Sequence, residues 1–206
     1  MKIKVCGMIS PWNLEQVCAL EPDFVGFIFY PGSKRFVGES PDPVLFQIPG
    51  PGIRKVGVFV NESVSSVKEA FGSKHLHMVQ LHGDESPDYC RTLSKEGIPV
   101  VKALDVQTDL ALLEEYREQV DYFLFDTKGP GYGGTGQKFD WDLLRKIPSG
   151  LPFLLGGGIG PGDAGAVLDM DHGGLLGVDL NSLFEVSPGI KDVGMLRDFM
   201  VKIKKQ

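Results

Sequence analysis

Residues 153–161 read FLLGGGIGP, and this short stretch carries the pattern that decides the fold. A compact apolar run, Phe153 to Leu155, passes through a glycine-rich turn into Pro161, where a helix pattern begins. Proline suits the first turn of a helix because its missing N–H has no partner there in any case. The stretch therefore predicts a strand, a tight loop and a helix in succession, which is the repeating unit of α/β proteins.

Short apolar runs like this one recur along the whole chain. Each is rich in Val, Ile, Phe or Leu and is followed by Gly, Asp, Asn or Pro, which is typical of strands that are buried on both faces. The runs are Ile3–Val5, Phe24–Phe29, Lys55–Val60, Met78–Leu81, Val100–Ala103, Tyr122–Phe125, Phe153–Leu155 and Leu175–Leu180.

Helix patterns separate these runs. Ser10-Pro11 and Ser86-Pro87 both place a capping residue before a proline at the first helical position. The helix pattern is weak only from Ser40 to Ile48, because the prolines in and beside that segment leave room for at most a short helix. The remaining predicted helices are Trp12–Leu20, Val64–Phe71, Asp88–Glu96, Leu110–Gln119, Trp141–Ile147, Pro161–Met170 and Val193–Lys204.

Eight strands alternating with about eight helices predict a parallel sheet, and eight such units favour a single (β/α)₈ TIM barrel over residues 1–206. Such barrels usually have about 250 residues, and about 200 is the lower limit, so 206 residues leave no room for a second domain. An open, doubly wound sheet is the alternative fold.

Composition limits the function classes. With 42% hydrophobic and 23% charged residues, the chain is an ordinary globular protein. Its net charge of −6 argues against a nucleic-acid partner. No apolar stretch reaches the 18 or so residues of a membrane span, and no signal peptide is visible. Three cysteines without a CxxC pair favour a reducing compartment, so we expect a cytoplasmic protein.

In a barrel of this kind the active site lies at the carboxyl ends of the strands, and the last two strands usually bind phosphate. Gly157 and Gly158 follow the seventh predicted strand, and the segment Asp179 to Ser182 ends the eighth. Glycines allow backbone N–H groups to approach an anion, so these two loops predict a phosphate site. The simpler interpretation is that the glycines only make tight turns.

Other strand ends carry side chains that could perform chemistry. Cys6 could act as a base once ionised, although most free cysteines are small buried apolar residues. Asp126 could be a general acid if its surroundings raise its pKa, or it could cap a turn. Five glycines between Gly129 and Gly136 suggest a mobile loop after it. Arg35 could hold a carboxylate, although Lys34-Arg35 is more simply interpreted as a solvated surface pair. His82, close to Gln80, would lie at the barrel mouth.

Taken together, the motifs resemble those of the phosphoribosylanthranilate isomerase family. VQLHGDE and the DT…GGTG…FDW block are specific, and the resemblance runs from residue 4 to residue 192. The matching segments are KVCGM (4–8), VGFIFYPGSKRFV (25–37), KVGVFVNE (55–62), VQLHGDE (79–85), FDTKGPGYGGTGQKFDW (125–141), LLGGGIGP (154–161), GVDLNSLFE (177–185) and PGIKD (188–192).

The resemblance implies an Amadori rearrangement of N-(5-phosphoribosyl)anthranilate in tryptophan biosynthesis, with no cofactor or metal. Cys6 would be the general base and Asp126 the general acid, and Arg35 would hold the anthranilate carboxylate. The substrate-binding residues expected beside Arg35 are Gln80, His82, Gly157, Gly158, Asp179, Asn181 and Ser182. The protein would be a monomer or a homodimer. One departure is Leu183, which stands where the family commonly has glycine and which we expect to restrict the backbone.

Two other functions remain open at this point. Another phosphosugar barrel, such as an epimerase, a lyase or the histidine-pathway aminoaldose isomerase, would use a similar phosphate site. The histidine-pathway enzyme usually pairs two aspartates at the ends of strands one and six, whereas strand one ends here in Cys6. A catalytically silent binding barrel would be expected to lack the acid or the base, and both are present.

Overall fold

Eight parallel strands follow one another around a closed barrel in chain order. The computed structural model describes residues 1–127 and 138–204. The first strand pairs with the last, and Lys4 lies opposite Asp179, so the barrel prediction is confirmed and an open sheet is excluded. The strands are β1 (Lys2–Val5), β2 (Phe24–Ile28), β3 (Arg54–Phe59), β4 (Met78–Leu81), β5 (Val100–Asp105), β6 (Tyr122–Asp126), β7 (Phe153–Leu155) and β8 (Leu175–Leu180).

Helices and turns connect the strands on the outside. Ser63 and Ser86 cap α2 and α3, because each hydroxyl accepts the N–H of the residue three positions ahead, at 3.1 and 3.2 Å. The α-helices are α1 (Pro11–Cys18), α2 (Val64–Ser73), α3 (Pro87–Lys95), α4 (Leu113–Tyr116), α5 (Ala164–Leu168) and α6 (Val193–Lys204). No helix in the described ranges is long and apolar enough to cross a bilayer.

Three predicted helices in the second half of the chain are shortened in the structure or replaced by 3₁₀ turns. In place of a helix over Leu110–Gln119, a 3₁₀ turn (Leu110–Leu112) leads into α4, and the segment Trp141–Lys146 is wholly 3₁₀. The helix expected from Pro161 begins only at Ala164, because the Asp163 carboxylate accepts the Gly160 N–H and holds a turn there. The weak segment forms a 3₁₀ turn, Pro43–Phe46, as its prolines predict.

A small hairpin follows β8 and was not predicted. After a 3₁₀ turn at Ser182–Phe184, the strands β9 (Glu185–Ser187) and β10 (Ile190–Lys191) pair antiparallel. Gly189 has a φ of +84°, a value that a glycine adopts without strain, and it turns the chain back. The hairpin brings two charged side chains, Glu185 and Lys191, close to the barrel mouth.

Strand alternation positions the site. Seven apolar side chains form a plug within the barrel, separate from the larger core between strands and helices: Phe24, Val56, Met78, Val101, Ala103, Leu124 and Leu154. Successive side chains of a strand point to opposite faces, so the residue two positions further on faces the same interior. Gln80, Asp126 and Gly156 each follow a plug residue by two positions, so they lie at the barrel mouth above the plug. The predicted mobile loop from Gly129 to Gly136 lies outside the described residues.

Candidate active site

One pocket at the carboxyl ends of the strands contains every residue that the sequence analysis selected as catalytic or substrate-binding. The predicted residues that line it are Cys6, Arg35, Gln80, His82, Asp126, Gly157, Gly158, Asp179, Asn181 and Ser182. They come from six strand ends and the loops that follow, which are distant in sequence and meet only because the barrel closes.

Cys6 lies directly after β1, and its side chain is almost fully buried. A Cβ atom on Gly26 would lie 2.6 Å from the Cys6 Sγ, so only glycine on the neighbouring strand leaves room for the thiol. Burial raises the pKa of Cys6, while the nearby Lys4 ammonium opposes that rise. The thiol therefore has a cation beside it that stabilises its ionised form.

Lys4 is itself buried inside the barrel, where its Nζ lies 2.8 Å from Asp179 Oδ2. Burial alone would lower the pKa of Lys4, but the charge of Asp179, with a contribution from Cys6, raises it, so the ammonium stays charged. The second oxygen, Asp179 Oδ1, is buried without a hydrogen-bond partner in the part of the chain that the structure describes. That oxygen is available to a polar group of a ligand.

Asp126 ends β6 on another side of the pocket. Burial raises its pKa to about 7, against the opposing effect of a hydrogen bond from the Thr127 N–H to Oδ1 at 2.7 Å. A carboxyl group in this state keeps its proton at a pH where an exposed aspartate is ionised. It can therefore donate a proton near neutral pH, as a general acid must.

His82 faces Asp126, with 3.6 Å between its Nε2 and Asp126 Oδ2. Its other ring nitrogen, Nδ1, lies 2.8 Å from the amide nitrogen of Gln80. An amide nitrogen only donates, so Nδ1 accepts, and a neutral ring then carries its hydrogen on Nε2, toward Asp126. The loop that bears His82 is held by Lys102, whose buried ammonium donates to the carbonyl of Gly83 and pairs with Glu85.

Arg35 reaches the pocket from the loop after β2. Its guanidinium forms a two-pronged ion pair with Glu185, which is buried on the first strand of the hairpin. Lys191, from the second strand, binds the same carboxylate at 2.6 Å and the side-chain oxygen of Asn181 at 2.7 Å. The cluster joins the early and late loops of the barrel.

The two glycines of the β7 loop have conformations that other residues rarely adopt. Gly157 and Gly158 have φ values of +74° and +68°. Within the described ranges, neither N–H has a hydrogen-bond acceptor in the protein. Ser182 begins the 3₁₀ turn after β8, on the same side of the pocket. Leu183, beside it, is 42% exposed, and its side chain extends over Gly160.

Three residues of this site were not selected from the sequence: Lys4, Glu185 and Lys191. The signal for Lys4 was a charged residue within an apolar strand, Ile3-Lys4-Val5, which is costly unless the charge is paired. Glu185 and Lys191 stood in matching segments of the resemblance, but nothing in their spacing indicated the hairpin that brings them to Arg35.

Comparisons with known proteins show the family to which this chain belongs. A family model described as N-(5'-phosphoribosyl)anthranilate (PRA) isomerase matches residues 3–202. Two curated relatives carry the name N-(5'-phosphoribosyl)anthranilate isomerase. The one from Parabacteroides distasonis is 45% identical and covers 98% of this chain and 93% of its own length. The one from Phocaeicola vulgatus is 39% identical and covers 100% and 99%.

Solved structures give the same result. The phosphoribosyl anthranilate isomerase from Thermus thermophilus superposes with a TM-score of 0.87 at 26% identity, covering 98% of both chains. A phosphoribosyl anthranilate isomerase in complex with reduced 1-(o-carboxyphenylamino)-1-deoxyribulose 5-phosphate superposes with a TM-score of 0.79 at 30% identity, covering 100% of both. A structure described as mutually generated monomers of the dimeric isomerase from Thermotoga maritima has the same TM-score, 0.79, at 30% identity.

Proposed function

Because this chain belongs to the N-(5'-phosphoribosyl)anthranilate isomerase family and catalyses that isomerisation in tryptophan biosynthesis, we propose that it works by general acid/base catalysis with Asp126 and Cys6. The observation that carries the proposal is the enclosed position of Asp126 at the end of β6. Burial raises its pKa to about 7, in the same pocket that contains the buried thiol of Cys6.

The acid acts first. Asp126 donates its proton to the ring oxygen of the ribose as the bond from that oxygen to C1 breaks. The lone pair of the anthranilate nitrogen forms a double bond to C1, which gives an open-chain iminium ion. The new carboxylate on Asp126 accepts the hydrogen bond from the Thr127 N–H, and the Nε2–H of His82 faces it. Both groups stabilise the charge that the step creates.

The base acts second. The Cys6 thiolate removes the proton from C2, the electrons of that bond form a double bond between C1 and C2, and the iminium pair returns to nitrogen. The resulting enaminol gains a proton at C1 from solvent and loses its C2 hydroxyl proton to solvent, which yields the aminoketose. A net proton then passes through solvent from the Cys6 thiol to the Asp126 carboxylate, which restores both starting states. Lys4 stabilises the thiolate, and burial opposes it, so the reactive ionisation state is a minor fraction of the free enzyme.

The remaining pocket residues bind the substrate in this proposal. The free N–H groups of Gly157 and Gly158, together with Asn181 and Ser182, bind the phosphate. Arg35 binds the anthranilate carboxylate. Asp179 Oδ1, Gln80 and His82 contact the ribose hydroxyls, since Asp179 Oδ1 and Gln80 Oε1 are both buried without a partner among the described residues.

We further place the protein in the cytoplasm as one domain over residues 1–206, a monomer or homodimer whose partner is this phosphorylated aminosugar. The reaction needs no cofactor, because every step is a proton transfer or a rearrangement of existing bonds.

The test follows the loss of the fluorescent substrate, freshly generated, with wild type, Cys6→Ala and Asp126→Asn. A positioned acid or base contributes typically 10²–10⁴-fold, so we expect kcat to fall by about that factor in each variant. The reduced product analogue should bind both variants within a few-fold of wild type, because neither side chain is assigned to phosphate or carboxylate binding. Full turnover by either variant would refute that residue's role.

A further inference from the structure

Glu185 occupies one particular edge of the Arg35 guanidinium. Arg35 Nε lies 2.8 and 3.1 Å from the two oxygens of Glu185, and Arg35 Nη2 lies 2.6 Å from Oε2. This side-on contact uses the Nε hydrogen and one of the two hydrogens on Nη2. A guanidinium has five N–H donors in a fixed plane, so three remain.

The remaining donors form the end of the fork. They are the two hydrogens of Nη1 and the second hydrogen of Nη2, and no acceptor within residues 1–127 or 138–204 binds them. Parallel hydrogen bonds from such an edge match the two oxygens of one carboxylate. Arg35 lines the pocket, so this unoccupied edge belongs to a side chain that a ligand can reach.

The charges of the cluster formed by Arg35, Glu185 and Lys191 favour the binding of an anion. Arg35 carries a positive charge and Glu185 a negative one, so a protonated Lys191 leaves the group with one positive charge. Burial lowers the pKa of Lys191, and the adjacent Glu185 carboxylate opposes that change. Burial would favour the neutral form of Glu185, but the hydrogen bonds from Arg35 and Lys191 outweigh it and lower the pKa of that carboxyl. Glu185 therefore orients Arg35 without cancelling its attraction for an anionic ligand.

The stem of Arg35 is also restrained. Gly7 has a φ of +77°, and a Cβ atom there would lie 2.6 Å from Arg35 Cδ, so the stem lies across bare backbone next to Cys6. The Arg35 N–H donates to Ser33 Oγ at 3.1 Å. The side chain is thus held at its base, along its stem and at its head before any ligand arrives. Binding need not then immobilise a long side chain.

We propose that Glu185 is a positioning residue for substrate specificity: it holds Arg35 side-on so that the free end of the guanidinium selects an arylamine that carries a carboxylate on its ring. This inference rests on the proposed role of Arg35 in binding the anthranilate carboxylate. Lys191, on the opposite strand of the hairpin, supports Glu185 and balances its charge.

The test compares two stable ligands made by reductive amination of ribose 5-phosphate, one with anthranilate and one with aniline. They differ only in the ring carboxylate, so the ratio of their dissociation constants, measured by calorimetry, reports what the carboxylate contributes. The variants are Arg35→Met, Lys191→Met, and Glu185→Gln combined with Lys191→Met. The double variant removes one charge of each sign, which avoids leaving two buried cations uncompensated. Circular dichroism and thermal unfolding check that each variant is folded.

We expect wild type to prefer the carboxylated ligand and Arg35→Met to lose that preference. Relative to Lys191→Met, the double variant should reduce the ratio by about 2- to 10-fold, the cost of immobilising a free arginine side chain, while the aniline ligand binds the two variants alike. Lys191→Met, which keeps the Glu185 fork, should retain the ratio.

Each other outcome has a distinct meaning. A preference that survives Arg35→Met would refute the role of Arg35 and, with it, this inference. A preference lost in Arg35→Met but kept in the double variant would overturn the role of Glu185 alone. Equal weakening of both ligands in the double variant relative to Lys191→Met would show that Glu185 only maintains the fold. Tighter binding of the carboxylated ligand by the double variant would show that Glu185 competes with the ligand.

Discussion

The carboxyl group of Asp126, the proposed general acid, makes the stability of the fold depend on pH. Its side chain is 18% exposed, and burial raises its pKa from an ordinary value of 3.8 to about 7. The unfolded chain ionises this group near pH 4, whereas the folded protein does so only near pH 7. Raising the pH through this interval therefore favours the unfolded state.

Asp126→Asn should remove that pH-dependent loss. We expect the variant and wild type to have similar stability near pH 4, apart from a constant difference. As the pH rises to 8, the free energy of unfolding of the variant should increase relative to that of wild type by up to about 4 kcal/mol. This figure is a shift of about three pKa units at 1.36 kcal/mol each. Urea unfolding at pH 4, 6 and 8 measures the change. The amide oxygen can still accept the Thr127 N–H, so that contact is kept.

The exposed Asp171→Asn variant is the control for effects common to any such substitution. If the free energies of unfolding of wild type and Asp126→Asn differ by the same amount at all three pH values, the carboxyl group ionises alike in the folded and unfolded states.

At the scale of elements, the β7 loop depends on glycine geometry. Gly157 has a positive φ, and a Cβ atom there would lie 2.9 Å from Thr127 Oγ1 and 3.0 Å from Asp126 Oδ1. Gly157→Ala should lower the free energy of unfolding by about 1–2 kcal/mol, the usual cost of a left-handed residue with a Cβ. It should also weaken binding of the reduced product analogue at least tenfold, since the N–H groups would move.

Gly72→Ala in α2 is the matched control for this substitution. Gly72 has open space where a Cβ would be added, and its φ is outside the left-handed region. Alanine is favoured over glycine within a helix by about 0.5–1 kcal/mol, so this variant should be stabilised and should bind the analogue normally. Normal binding by Gly157→Ala as well would remove the loop from the phosphate site.

The elements also show what a sequence can and cannot predict. Strand runs and the serine caps are local signals, and the barrel follows from their order. The connections at Leu110–Leu112 and Trp141–Lys146 have helical periodicity, but they form 3₁₀ turns in the structure, which periodicity alone does not distinguish from an α-helix. Strand ends indicated the site residues, since a parallel barrel brings its strand ends together. The Arg35–Glu185 contact spans 150 positions and depends on a hairpin without a periodic signal, so it could not be predicted.

At the scale of the whole molecule, a buried ion pair spans the seam of the barrel. Lys4 on β1 and Asp179 on β8 face each other across the only strand pairing that joins the two ends of the described barrel. Removing one partner of a buried pair leaves an uncompensated charge, which costs about 3–5 kcal/mol. The seam should therefore be sensitive to single substitutions.

We expect Lys4→Met to lower the free energy of unfolding in urea by that amount and the double variant Lys4→Met, Asp179→Asn to recover most of it. The exposed pair Lys68–Glu96 is the comparison, because both side chains are about two-fifths exposed, at 41% and 42%. Lys68→Met should cost less than about 1 kcal/mol. A loss below 1 kcal/mol in Lys4→Met, or no recovery in the double variant, would show that the pair does not hold the seam.

The same seam has a consequence for biosynthesis, because the barrel cannot close until its last strand has been synthesised. Its two residues are 175 positions apart, and a ribosome adds about 5–20 residues per second, so roughly 9–35 s pass between their synthesis. During that interval the first strand has one edge without its final neighbour, and such an edge invites pairing with other chains. Translational pauses before the eighth strand would lengthen this exposure, whereas pauses after it would not. The nascent chain gains a complete catalytic pocket only when almost all of it has been made.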